Sequence, residues 1–475
     1  MSERFDAVIV GAGPNGLTAA VTLARQGLAV CVVEAADEVG GGMRTVDDPQ
    51  FPGIVHDHCS AVHPLALASP ALAALPLADC GLEWCHPDIA VGHPRDDGSA
   101  GLLYRDLDAT AEGLGVDGDV WRRLVGPSVD AFDTVAEQLL GPVARFLPHP
   151  MTLLGALRAA PLPAARVLRR FTEENTRALF AGIAAHAMAP LHQPLTAGVG
   201  LFLAAAAHAV GWPFARGGSS AIARALAVML TDLGGTIRTG MRVRSLGDVP
   251  RARVVLLDVV PQQAVAILGG RLPSRHAARL REWRHGPAAF KVDYVVEDGV
   301  PWAAAGLERA GTVHLGGDAD EVIAAERATS AGRSAPRPFV LVAQPATADE
   351  TRRVGGHVPV WAYAHVPHAS TRDATPLIDA QIERFAPGFL ERVRARQVTT
   401  PADFARDNPN FIGGDIAGGA SDGWQLISRP RRIVNPYATG IPGVVLCSAS
   451  TPPGAGVHGM CGFHAAQSVL RVLTA

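Results

Sequence analysis

The chain is nearly devoid of lysine: of its 42 lysines and arginines, one, Lys291, is lysine. Net charge is −3 and no run of one sign is long. Phosphate-backbone binding needs a concentrated basic face, so nucleic acid is excluded as a partner. Long apolar runs are missing too. The most hydrophobic segment, AGVGLFLAAAAHAVGW at 197–212, is broken by His208 and several glycines. It falls short of the roughly 18–20 residues a membrane span needs and predicts a buried helix lining an apolar cavity. The N-terminus lacks a basic stretch followed by an apolar one, so no secretory signal is expected. The six cysteines form no C-x-x-C pair. That excludes a disulfide reductase, and together with the missing signal it predicts a reducing, cytoplasmic setting. Peripheral contact with a membrane surface is left open.

What the chain does carry is the balance of a globular protein, 48% hydrophobic and 18% charged over 475 residues, a length suited to two or three domains. The most specific stretch is FDAVIVGAGPNGLTAAVTLARQGLAVCVVEA at 5–35. Residues 5–10 predict a buried strand ending at Gly11. Gly11, Gly13 and Gly16 complete G-x-G-x-x-G, a helix runs on to Gly27, and a second strand ends in Glu34. In such a unit the first glycine permits the turn, the second lets backbone approach a pyrophosphate, and the third lets helix and strand pack closely. The helix N-terminus offers free amides and partial positive charge to phosphates. Glu34 is placed to accept from ribose hydroxyls and to repel a 2′-phosphate. Pro14, Asn15 and Ala35 fall within the same turns and are expected in the same site.

The following residues, EAADEVGGGMRT, resemble the FAD-binding oxidoreductases that include phytoene desaturases and amine oxidases. In that family a Gly-Gly segment and an arginine near the flavin diphosphate follow the ribose-binding acid. The matching positions are Gly40, Gly41, Gly42 and Arg44, with Met43 between them. The resemblance implies FAD rather than NAD.

A second G-x-G-x-x-G, at Gly454, Gly456 and Gly459, follows the strand-like GVVLCSAS. Only 16 residues follow Gly459, too few for another complete dinucleotide unit. The stretch instead predicts a loop that brings the start of a last helix to the flavin ring, where amides around Gly456, Gly459 and Met460 meet charge that grows on reduction. STPPGAGVHGMCGFHAA resembles the C-terminal signature of the phytoene dehydrogenase-related flavoproteins. Many relatives carry Gly-Asp after this strand. Here the equivalent is CSAS, so the contact is expected from Ser448, Ser450 or backbone. The block at 212–246 is also similar to the family's middle segment and implies that Val243 meets the adenine through its backbone. The fold class so implied is α/β. A Rossmann-type, glutathione reductase-like FAD-binding domain (1–70, 213–270 and 430–475) is interleaved with an α+β substrate domain (71–212 and 271–429).

Lys291 lies in PAAFKVDYVVEDG, where alternation puts Phe290, Val292, Tyr294 and Val296 on one face and Lys291 beside Asp293 on the other. The strand resembles the one that, in amine oxidase-type relatives, carries a lysine holding a water beside flavin N5. A Lys–Asp pair on a solvated strand face fits the same pattern, and both readings stay open. The segment VHDHCSAVH clusters His56, His58 and His63 around Cys59 but lacks a fourth ligand and a rigid spacing, so no metal site is expected. The resemblance places His63 and His458 beside the flavin or substrate, as catalytic candidates with Lys291.

The expected function is an FAD-dependent oxidoreductase moving hydride between flavin N5 and a C–H bond of a small apolar, unsaturated molecule. The electron acceptor and oligomeric state are unspecified, and direct NAD(P)H use is not expected. One alternative is a flavin amine oxidase, whose aromatic cage has Trp424 and Tyr437 as its only nearby candidates. Another is a non-redox double-bond isomerase. A scaffold that has lost its cofactor is disfavoured, because the three glycines and Glu34 are intact.

Overall fold

Strand Phe5–Val10 turns Ala7 and Ile9 to one face and Val8 and Val10 to the other, and both faces are buried. Such a strand suits the interior of a parallel sheet. The sheet runs Val444–Leu446, Ala252–Leu257, Phe5–Val10, Val30–Val33, Thr236–Arg238, with every pair parallel. Its strands thus come from widely separated parts of the chain. The computed structural model describes residues 4–142, 150–422, 425, 428–430 and 435–473.

Helix Pro14–Ala24 covers one face and packs against helices Ser220–Asp232 and Met460–Leu473. Its contact with Met460–Leu473 is backbone-close: a Cβ on Gly462 would stand 1.8 Å from the Asn15 carbonyl oxygen. Helices Pro261–Leu268 and Ser274–Arg281 cover the other face through Ala264, Leu268, Ala277 and Leu280.

A second, mixed sheet runs Val393–Thr399, Ala288–Glu297, His357–Val366, Val340–Ala343, Ala310–Leu315, Ile89–Pro94, Ala100–Tyr104. One face is largely apolar: Phe290, Val292, Val342 and Ala362 pack on helix Thr375–Phe385 through Ile378, Ile382 and Phe385, and the Tyr294 hydroxyl donates to Asp379 of that helix at 2.6 Å. The other looks toward the first sheet and a helical layer that includes Gly118–Asp130, Glu174–Ala185 and Thr196–Ala209. Thr196–Ala209 is buried along nearly its whole length, as its composition predicts. Among the described residues no helix is long and apolar enough to cross a membrane.

The alternation around Lys291 holds, but a solvated second face does not. Lys291 is 1% and Asp293 4% exposed. The hairpin Thr45–Asp47 and Val55–Asp57 lies over that face, and its polar groups close a buried network. The Lys291 ammonium donates to Asp293, Asp293 faces His56 at 3.7 Å, and Asp48 joins His56 (3.0 Å) to Gln397 (2.9 Å).

Candidate active site

The first sheet ends its strands on a cavity of about 970 Å³. Val10 and Val33, the last residues of two neighbouring strands, line it, followed by Gly11, Gly13, Glu34 and Ala35. This is the crevice at the carboxyl ends of parallel strands where open α/β sheets bind ligands.

The glycine turn is stripped to backbone for steric reasons. A Cβ on Gly16 would stand 2.0 Å from the Gly11 carbonyl, and one on Gly41 would stand 3.1 Å from the Gly13 Cα. Gly13, the residue before helix Pro14–Ala24, has no side chain to cap the first amides. Glu34 is fixed by two backbone donors, Ala12 to Oε2 at 2.7 Å and Ala36 to Oε1 at 2.9 Å. Arg44 is held by the carbonyls of Gly41 (3.1 Å) and Asp407 (3.0 Å) and lines the cavity with Gly42 and Met43. Pro14, Asn15 and Val243 line it as well, and Asn15 Oδ1 is buried without a partner among the described residues.

Asp258, on the turn after strand Ala252–Leu257, was not singled out in the sequence. Its Oδ2 accepts the Gly16 amide at 2.9 Å and would lie 3.1 Å from a Cβ on Gly13. Burial, reinforced by the nearby Glu34 charge, pushes its pKa up to about 7 against the opposing Gly16 bond. Arg429 is a second unforeseen group. It is buried in the wall, bonds the carbonyls of Ala449 (3.0 Å) and Gly419 (3.2 Å), and leaves Nε without a partner among the described residues.

Gly454 to His458 line the cavity, but Gly459 and Met460 do not. The Met460 amide donates to His458 Nδ1 at 3.0 Å, so the neutral ring carries its proton on Nε2, buried at the wall near the Ala455 and Gly454 carbonyls and without a geometrically formed hydrogen bond among the described residues. Burial lowers the His458 pKa to about 4, which keeps it neutral. Met460 is therefore not free to meet a flavin. Gly459 is spent on helix packing, since a Cβ there would stand 2.1 Å from Thr18 Oγ1. Ser450 points away and donates to the Gly418 carbonyl at 2.8 Å, whereas Ser448 lines the cavity.

His63 lines the cavity with its Nε2 2.8 Å from Ser219 Oγ. The Ser219 hydroxyl proton goes to the Ser60 carbonyl (2.6 Å), so His63 donates from Nε2 and presents an Nδ1 without a partner among the described residues. Burial lowers its pKa to about 4. Lys291 does not line the cavity; it sits one layer behind Cys59, which does. Among the described residues no three His, Cys, Asp or Glu side chains form a group that could hold a metal.

Beyond these groups the cavity turns apolar. Helix Thr196–Ala209 contributes Val199, Phe202 and Leu203, facing Met188, Leu140 and Leu341. Trp361 and Tyr363, an edge-on pair at 5.0 Å, come from the second sheet. Both lie far in sequence from the C-terminal block that supplied the expected cage candidates. Trp424 lies outside the described residues, and Tyr437 is buried elsewhere with its hydroxyl on the Pro452 carbonyl at 3.1 Å.

Residues 9–75 match the family model described as NAD(P)-binding Rossmann-like domain. The chain is 26% identical to mouse (Mus musculus) pyridine nucleotide-disulfide oxidoreductase domain-containing protein 2, over 100% of this chain and 94% of that protein. It is 27% identical to the phytoene dehydrogenase of Streptomyces griseus, over 95% of this chain and 92% of that one. Among solved structures, putrescine oxidase superposes over 100% of both chains with a TM-score of 0.62 at 18% identity. The bare glycine turn, the tethered Glu34 and the orphaned Asn15 oxygen fit a dinucleotide such as FAD. Along nearly its whole length the chain is thus similar to a phytoene dehydrogenase, and it shares its fold with an amine-oxidising flavoenzyme structure.

Proposed function

We propose that the protein transfers hydride from a C–H bond of a small apolar, unsaturated molecule to flavin N5, forming a carbon–carbon double bond. The observation that carries this reading is the continuity of one cavity, from the Glu34 cradle to a wall of Val199, Phe202, Leu203, Met188 and Leu140. Such a wall recognises hydrocarbon by desolvation and holds few polar groups to orient anything else. The similarity to phytoene dehydrogenase over most of both chains supports the same substrate class.

When bound, FAD supplies the two-electron acceptor, and the protein supplies orientation, dryness and electrostatics. We assign cofactor binding to the segments 1–70, 213–270 and 430–475 together with helix Ser274–Arg281 and Arg429, and the substrate chamber to the rest. Gly11, Gly13, Gly41 and Arg44 hold the diphosphate, with Arg429 as a second cation, and Glu34 holds the ribose. His458 offers its Nε2 proton to an acceptor at the cavity wall. Lys291 acts as a positioning residue, anchoring the strand that carries Tyr363 from behind.

An amine oxidase is the second reading. It is favoured by the Trp361–Tyr363 pair and by the fold shared with putrescine oxidase. Anaerobic mixing of the FAD-loaded protein with polyenes, amines and NAD(P)H separates the two. Bleaching of the flavin band by a polyene is expected, and bleaching by amines alone would overturn the proposal.

A further inference from the structure

The cavity-facing side of the second sheet carries a row of titratable side chains. In register across the strands stand Lys291, Tyr363, Leu341 and His314. Two residues along from Tyr363 on the same face is His365, 2% exposed. Its Nε2 lies 3.2 Å from the Tyr363 hydroxyl, and its Nδ1 lies 2.8 Å from Glu326 Oε1.

Glu326 is hard to justify structurally. It is 1% exposed on helix Ala319–Ser330, whose other buried positions are Ala319, Val322, Ala325 and Thr329. Its one ion-pair partner among the described residues is His365, and its Oε2 has none. A buried acid with a single imidazole partner costs several kcal/mol relative to an apolar side chain. The arrangement fixes the protons. The carboxylate accepts from Nδ1, which leaves Nε2 as an acceptor for the Tyr363 O–H. The phenol oxygen then presents its lone pairs at the cavity wall. Burial and the Glu326 charge raise the Tyr363 pKa, so the phenol does not ionise on its own. It gives up its proton only as it receives another. Among the described residues, the other titratable groups facing this string are Lys291, across from Tyr363, Cys59 beside Tyr363, and His186 and His314 beside His365.

We propose that Tyr363, His365 and Glu326 form a relay that accepts the proton lost by the substrate during dehydrogenation. The inference rests on the desaturase reading above. An H–C–C–H unit gives one hydrogen with its bonding pair to FAD. The neighbouring C–H gives a proton to the Tyr363 oxygen, and its bonding pair becomes the π bond. The Tyr363 proton passes to His365 Nε2, and Glu326 holds the resulting imidazolium, the role logic of a nucleophile–histidine–acid triad. Oxidation next to nitrogen draws its second electron pair from the nitrogen lone pair and needs no such acceptor.

The test uses FAD-loaded wild type, Tyr363→Phe and Glu326→Gln, each retaining side-chain shape. With [15N]histidine labelling, one imidazole, removed by His365→Gln, is expected to show an unprotonated Nε2 that shifts in Tyr363→Phe. Its Nδ1 proton resonance should move in Glu326→Gln. With a polyene that bleaches the wild type, both variants should reduce about a hundredfold more slowly, at unchanged FAD affinity and unchanged reduction by dithionite. A protonated Nε2 indifferent to Tyr363→Phe overturns the relay, as do rates within threefold of wild type. Bleaching by amines alone defeats the desaturase reading, and the relay with it. Bleaching by a polyene at equal rates in all three proteins defeats the relay alone.

Discussion

Replacing Asp258 by Asn tests the cofactor cradle most directly. The carboxyl sits inside the glycine turn, takes the Gly16 amide and has its pKa pushed from 3.8 to about 7. That displacement corresponds to about 4 kcal/mol. Because the folded-state value is raised, the protonated form is the one the fold accommodates. Its stabilising contribution is complete below pH 3.8 and is lost as pH rises through about 7. Asn keeps an acceptor for Gly16 and does not titrate. Urea melts of the cofactor-free protein should therefore show the variant gaining on wild type from pH 4 to pH 8, by up to about 4 kcal/mol. The same carboxylate opposes a diphosphate at this turn. Fluorescence titrations should show wild-type FAD affinity falling about tenfold per pH unit above 7, and the variant's staying flat. Parallel curves for the two proteins would refute the placement of a titrating acid at the diphosphate.

Three other substitutions address separate parts of the molecule. Lys291→Met strands Asp293 in the buried network, so chemical denaturation should show a loss of about 3–5 kcal/mol, largely restored by adding Asp293→Asn; stopped-flow should also show flavin reduction at least tenfold slower with FAD still bound. Arg429→Gln removes a buried cation while keeping donors for the Ala449 and Gly419 carbonyls, and isothermal titration should show FAD affinity at least tenfold weaker. Gly462→Val drives a branched side chain into the Asn15 carbonyl, and the purified protein should be colourless or aggregated, whereas a yellow, monodisperse variant contradicts the contact.

The fingerprint from Phe5 to Glu34 was legible because its determinants are local. Strand, turn, helix and acid follow one another, and each residue's role depends on neighbours in sequence. Asp258 belongs to the same few cubic ångströms yet enters from a strand more than two hundred positions later, and a lone acid after an apolar run carries no local signal. Lys291 shows the limit of periodicity. Alternation gives the face but not what covers it, and here a hairpin from the other end of the chain does. Gly459 and Met460 carry the right motif for the flavin but are claimed by Thr18 and His458, a competition visible only once the helices are in place. Tyr363, His365 and Glu326 lie close in space through pairing of one strand with a distant helix.

Helices Pro14–Ala24 and Met460–Leu473 touch backbone to backbone, and strand Val444–Leu446 closes an edge of the sheet that holds the fingerprint. A ribosome making this chain delivers the glycine turn early, but the parts that seal it arrive hundreds of residues later. Until then the half-built sheet presents an unpaired edge, the kind of exposure that invites misassociation in slow, high-contact-order folds. Flavin uptake is therefore expected to be a late, nearly all-or-none event in biogenesis, so that nascent chains released before Val444 carry the complete N-terminal motif and bind nothing.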